Sequence, residues 1–182
     1  MLQFGAEQAA TTGAFEGLVS TLDTTDLGTL ARVPLSAFGG NSVSYYYWRT
    51  LLFEFWRPDA ARAAADSLVR AARTLVSEQP NDPGVHAAKG WLFAIKGQTD
   101  SAALSARRAL ELAPVADDAF AWSNAAHHAA GTFVRIGDYD TAIDQLEQLL
   151  AAPSWISVPV LRTDPLWSRL RGHPRFERLL AR

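Results

Sequence analysis

The sequence predicts an all-α chain built from repeated helical hairpins, and three observations carry that prediction. Two segments, 90–114 and 130–153, share a pattern of small, aromatic, glycine, alanine and proline residues in the same order. The turn glycines of these segments, Gly97 and Gly137, stand 40 residues apart, and the turn at Arg57-Pro58-Asp59 lies a further 40 before Gly97. Residues 60–78 place Ala64, Leu68, Ala72, Leu75 and Val76 on one face and Arg62, Asp66, Arg70 and Arg73 elsewhere, the pattern of an amphipathic helix.

The opening stretch, "GAEQAATTGAFEGL", carries a weaker copy of the pattern in Ala6, Ala9, Gly13, Phe15 and Leu18. Its first helix would begin before Met1, so residues 1–25 are expected to be a partial hairpin cut from a longer protein. Pro34 and Gly39-Gly40-Asn41 break the period, making 26–43 a connection with one short helix at 26–32.

Residues 45–56 then place seven aromatic side chains in twelve positions: Tyr45, Tyr46, Tyr47, Trp48, Phe53, Phe55 and Trp56. A helix apolar nearly all round is one packed on several sides. Packing is therefore the expected role of 44–56, with a docking or self-association surface as the alternative. Arg49 and Glu54 interrupt the stretch, which is also too short for a membrane span.

Asp82-Pro83 opens the next helix, an N-cap followed by a proline whose missing N–H costs nothing there. The glycines at 97 and 137 let the chain turn where positive φ is needed, and Pro114 and Pro153 stop the second helices. At the end, Asp164-Pro165 and His173-Pro174 start two short helices separated by Gly172.

On these residues the chain resembles the tetratricopeptide-repeat family, whose helix–turn–helix unit of about 34 residues has small, aromatic, Gly, Ala and Pro positions in that order. The tail "LEQLLAAPSWISVPVLRTDPLWSRLRGHPRFERLL" further resembles the C-terminal repeat region of large bacterial sensor and effector proteins, such as Ser/Thr kinases and adenylate-cyclase-like regulators. The resemblance implies a right-handed α-solenoid forming one domain over 1–182, with repeats at 44–80, 83–114 and 117–153 and a capping pair of short helices at 164–182. Asp59 and Arg62 depart from the pattern where an aromatic and an alanine are expected, and residues 117–122 lengthen the first helix of the last repeat.

In that family the first helices line a concave groove that holds a peptide or partner domain. Carried over by position, the groove residues here are Tyr47 and Leu51, then Trp91 and Ile95, then Asn124, His127 and Arg135. The resemblance thus implies a protein or peptide partner. The alternative is a structural protein whose copies stack head to tail into a homo-oligomer or filament.

Catalysis is not expected. No kinase loop, no Gly-x-Ser-x-Gly elbow and no cysteine is present. His127 and His128 are adjacent and point about 100° apart on a helix, so they cannot chelate one metal; no metal and no cofactor is expected. A formal charge of −2 and a pI near 6.1 argue against nucleic acid. No signal peptide or membrane-spanning segment is expected, which leaves the compartment unknown, the cytoplasm being the default. Asp138, Asp140, Asp144 and Glu147 are read as a solvated acidic face near a helix start. Arg169, Arg171, Arg175, Arg178 and Arg182 are read as an exposed basic face, or as the counterpart of an acidic surface such as that same helix in another copy.

Overall fold

A computed structural model describes residues 28–39, 45, 49–50, 52–53, 57–71, 77 and 79–182. Every element among these residues is helical and none is a strand, so the chain is all-α as predicted. It divides into two compact units, Met1–Thr74 and Leu75–Arg182. The expected opening hairpin, and Ala72, Leu75 and Val76 of the expected amphipathic face, lie outside the described residues.

In the first unit, residues 28–30 are helical and a short 3-10 helix, Leu35–Phe38, follows in what the sequence marked as loop. Pro34 precedes it and Gly39 ends it at φ 59°, a backbone region that glycine enters without strain. Residues 45, 49, 50, 52 and 53 of the aromatic stretch are helical, and Thr50, Leu52 and Phe53 are buried. Arg49 holds this stretch to the preceding segment: it donates to the Ala31 carbonyl at 2.7 Å and lies over the rings of Tyr45 and Phe53. The remaining aromatic residues, 46–48 and 55–56, lie outside the described residues. Helix α1, Pro58–Ala71, buries Ala61, Ala64, Ala65 and Leu68 and leaves Arg62, Asp66 and Arg70 exposed, so its amphipathic reading holds over the described length.

The second unit contains two hairpins of the same design. Helix α2 (Pro83–Ile95) leads to α3 (Thr99–Leu112), and α4 (Ala119–Ile136) leads to α5 (Tyr139–Ala151). Asp82, Asp118 and Asp138 cap α2, α4 and α5, each side chain accepting backbone N–H groups that the first turn leaves unpaired. Both inter-helix turns use one hydrogen-bond pattern. Gln98 N–H donates to the Phe93 carbonyl at 2.8 Å, and Asp138 N–H donates to the Phe133 carbonyl at 2.9 Å. Gly97 at φ 72° and Gly137 at φ 84° make both turns sterically free.

Packing follows from small side chains. Ala87 of α2, Ala109 and Ala113 at the end of α3 and Ala125 of α4 form a buried cluster made of alanine alone. Helix α2 packs on α3, both pack on α4, and α4 packs on α5. Gly90 marks a close approach of α2 to the α3 backbone: a Cβ there would lie 3.1 Å from the Ala106 nitrogen and 3.2 Å from the Ala102 carbonyl oxygen.

The tail holds three short helices rather than two. Helix α6 (Val158–Thr163) precedes the expected pair, a 3-10 helix Pro165–Leu170 and α7 (Pro174–Leu180). The 3-10 helix packs on α4, and α7 packs on α5 and α6. Leu161, Leu166, Trp167, Leu170, Phe176, Leu179 and Leu180 join α4 and α5 in one core. The basic tail finds its acidic counterpart within the chain. Arg175 donates to Asp144 at 2.6 Å, Glu147 at 3.1 Å and Asp140 at 3.4 Å, so one guanidinium bridges three carboxylates of the acidic face of α5.

Gly90→Ala gains about 1 kcal/mol of helix propensity. It also forces the α3 backbone away, at about 1–3 kcal/mol for an overpacked contact that no side-chain rotation relieves. A net loss of up to about 2 kcal/mol is expected in urea denaturation, and an unchanged or raised midpoint would show that α2 and α3 are free to separate.

Candidate functional site

Helix α4 carries most of the unusual chemistry of the second unit, because four elements pack against it. Ser123 and His127 stand one turn apart and therefore share a face. Both are buried, His127 to 2% exposure. Two indoles from outside the helix close over the imidazole: Trp155, from the loop after α5, at a ring distance of 4.5 Å, and Trp167, from the 3-10 helix, at 5.5 Å and nearly perpendicular. His128 lies edge-on at 5.4 Å.

Neither ring nitrogen of His127 has a protein hydrogen-bond partner, and the same is true of Ser123 Oγ and of the indole nitrogens of Trp155 and Trp167. Burial therefore falls on polar groups that receive no direct compensation, apart from the weak attraction of an edge-on N–H for an aromatic face. Burial, followed by the charges of His128 and Arg135, holds His127 well below its ordinary 6.5. Burial and Arg135 lower His128 to about 4, although its side chain keeps partial contact with solvent.

Arg135, at the end of α4, organises the other side. Its guanidinium lies 5.3 Å from the centre of the Trp91 ring and donates to the Gly131 carbonyl at 3.0 Å. A Cβ at residue 131 would meet that guanidinium at 3.0 Å and Leu166 at 3.2 Å, so glycine is what lets both lie against the helix. Asp164 is buried, accepts the Leu166 N–H at 2.9 Å, and has its carboxyl raised by burial against the opposing pull of that bond and of Arg135.

The expected groove residues fall into three groups. Tyr47 and Leu51 lie outside the described residues. Trp91 and His127 are buried. Ile95, Asn124 and Arg135 are partly exposed, and the Trp91–Arg135 contact joins α2 to α4. The residues that enclose His127 had no signal in the repeat pattern, because Trp155 and Trp167 come from the segment beyond it. Large exposed apolar side chains occur elsewhere, at Leu104 and Phe120.

Among the described residues no cluster of three or more His, Cys, Asp or Glu side chains could hold a metal, and no helix is long and apolar enough to cross a membrane. Comparison of the chain with family models, with curated proteins and with solved structures gave no match.

The sign of the histidine effect is fixed by the lowered values. Below pH 6.5 the unfolded chain takes up protons that the folded chain refuses, so stability falls as the pH falls toward about 4. Asp164 acts in the opposite sense, since its raised carboxyl accepts a proton more readily when folded. Between pH 7 and pH 5 the loss is expected to reach about 2 kcal/mol for each histidine held neutral. Urea midpoints at the two pH values measure it, and His128→Gln should remove its own share; an identical pH dependence in that variant would exclude His128 as a contributor.

Proposed function

We propose that the chain is a non-catalytic protein–protein interaction scaffold, a tetratricopeptide-like solenoid that holds a peptide or partner domain against the first helices of its repeats. The observation that carries this reading is the recurrence of one hairpin. The α2–α3 and α4–α5 pairs share a capping aspartate on the first helix, the same glycine turn and the same phenylalanine carbonyl acceptor. Each first helix also packs on its own second helix, and α2 packs on the next first helix, α4, as stacked repeats require.

On this reading the accessible groove members in the second unit are Ile95, Asn124 and Arg135. Trp91 and His127 contribute by shaping the groove floor from within the core. Truncating either opens a cavity, at a cost of about 3–5 kcal/mol for a tryptophan, so loss of binding in those variants would report folding. The surface residues give the cleaner test.

Peptides selected from a random display library on the purified chain should lose about 10-fold or more in affinity with Ile95→Asp, and likewise with Asn124→Ala combined with Arg135→Ala. A melting curve on each variant separates binding from folding. Selected peptides that bind the variants and the parent chain equally would place the partner surface elsewhere. Mass that climbs with concentration in light scattering would instead favour stacking of copies.

A further inference from the structure

We propose that the C-terminal segment, residues 154–182, is an acid-released latch on α4 and α5, with His127 as its trigger. The inference rests on how His127 is enclosed and stands independently of the groove reading above.

The enclosure has walls from three separate elements: α4 itself, the loop carrying Trp155, and the 3-10 helix carrying Trp167. Two of the three belong to the tail. Residues 152–157 contain no ionisable side chain, so the loop offers a protonated imidazole no counter-charge. The other elements offer none either. On α4, His128 and Arg135 oppose protonation. From α2 come His86, bonded to the Pro80 carbonyl, and the cation Lys89; from α3, Arg107 lies over the Phe133 ring, Glu111 is paired with Arg108 at 3.0 Å, and Asp100 is exposed in the first turn. The α5 carboxylates Asp140, Asp144 and Glu147 lie toward solvent, where they meet Arg175, with His173 3.8 Å from Asp140. In the tail, Asp164 accepts the Leu166 N–H and its charge faces that of Arg135, while Arg169 donates to the Arg135 carbonyl.

A proton can therefore reach His127 at little cost only when Trp155 and Trp167 move away and water enters. Indole faces attract an imidazolium, but a buried unpaired charge costs several times what one such contact returns. Opening the latch restores an ordinary imidazole, whereas α2 and α3 close no histidine of this kind and keep their alanine packing. Lowering the pH from 7 to 5 should shift the opening equilibrium by about 20-fold for each histidine freed.

Hydrogen exchange of the full chain, read by mass spectrometry and corrected for the intrinsic pH dependence of exchange, tests this. At pH 5 relative to pH 7, protection in peptides covering 154–182 should fall by about 20-fold or more while peptides covering 83–112 keep theirs. His127→Gln and His127→Phe, each checked for an unchanged helical spectrum at pH 7, should lose that factor from the response. Tail protection that ignores pH overturns the latch. So does a loss spread evenly over all helices, or a full response surviving in both variants.

Discussion

The second unit depends on the closeness with which α4 is approached. Eighteen residues long, it is lined by Ala125, Ala126, Ala129, Ala130 and Gly131, whose small side chains let neighbouring backbones and bulky groups reach its axis. The bulk comes from the partners: Ile143, Leu146 and Leu149 of α5, and Leu161, Trp167 and Phe176 of the tail, all fully buried. Interiors pack at crystal-like density, so on this side large residues fill the space that the small ones leave, whereas Ala125 joins the alanines of α2 and α3. The same closeness leaves little room for water, which is why a histidine on this helix is driven so far toward its neutral form.

Much of this was legible in the sequence because it is local. The turn glycines, the capping Asp82 and the proline-led starts at 165 and 174 act through backbone geometry within a few residues, and they occur where expected. Helix α6 was missed for a related reason: six residues with a proline in the first turn and two valines give no helical period to read. Its placement comes instead from burial of Leu161 and from Arg162 donating to the Leu180 carbonyl 18 residues on. The environment of His127 was illegible on the same grounds. Position within a repeat says which way a side chain leaves its helix, but the groups that cover it lie 28 and 40 residues later, beyond the repeating pattern.

The acidic face of α5 makes a similar point about charge. Asp140, Asp144 and Glu147 follow at helical spacing, so their charges gather on one side and repel. Read alone, they describe a solvated face; the structure gives them Arg175, reached only when the chain has turned at Gly172 and entered α7. Glu177 completes that turn by accepting the Gly172 N–H at 2.9 Å, so the residues that start α7 also aim Arg175 at α5.

The tail is thus fastened by two kinds of contact with different physics. Arg175 and its carboxylates sit near solvent, where attraction between charges is weak and mobile ions weaken it further. The Trp155–His127–Trp167 contact is the reverse case, since it excludes water and tolerates salt but holds only while the imidazole is uncharged. Salt loosens the first without touching the second, and acid strikes the second through a group the first does not contain. Of the two fastenings, the acid-sensitive one is anchored on the core helix α4, so the release proposed above begins there, at the contact of His127 with Trp155 and Trp167.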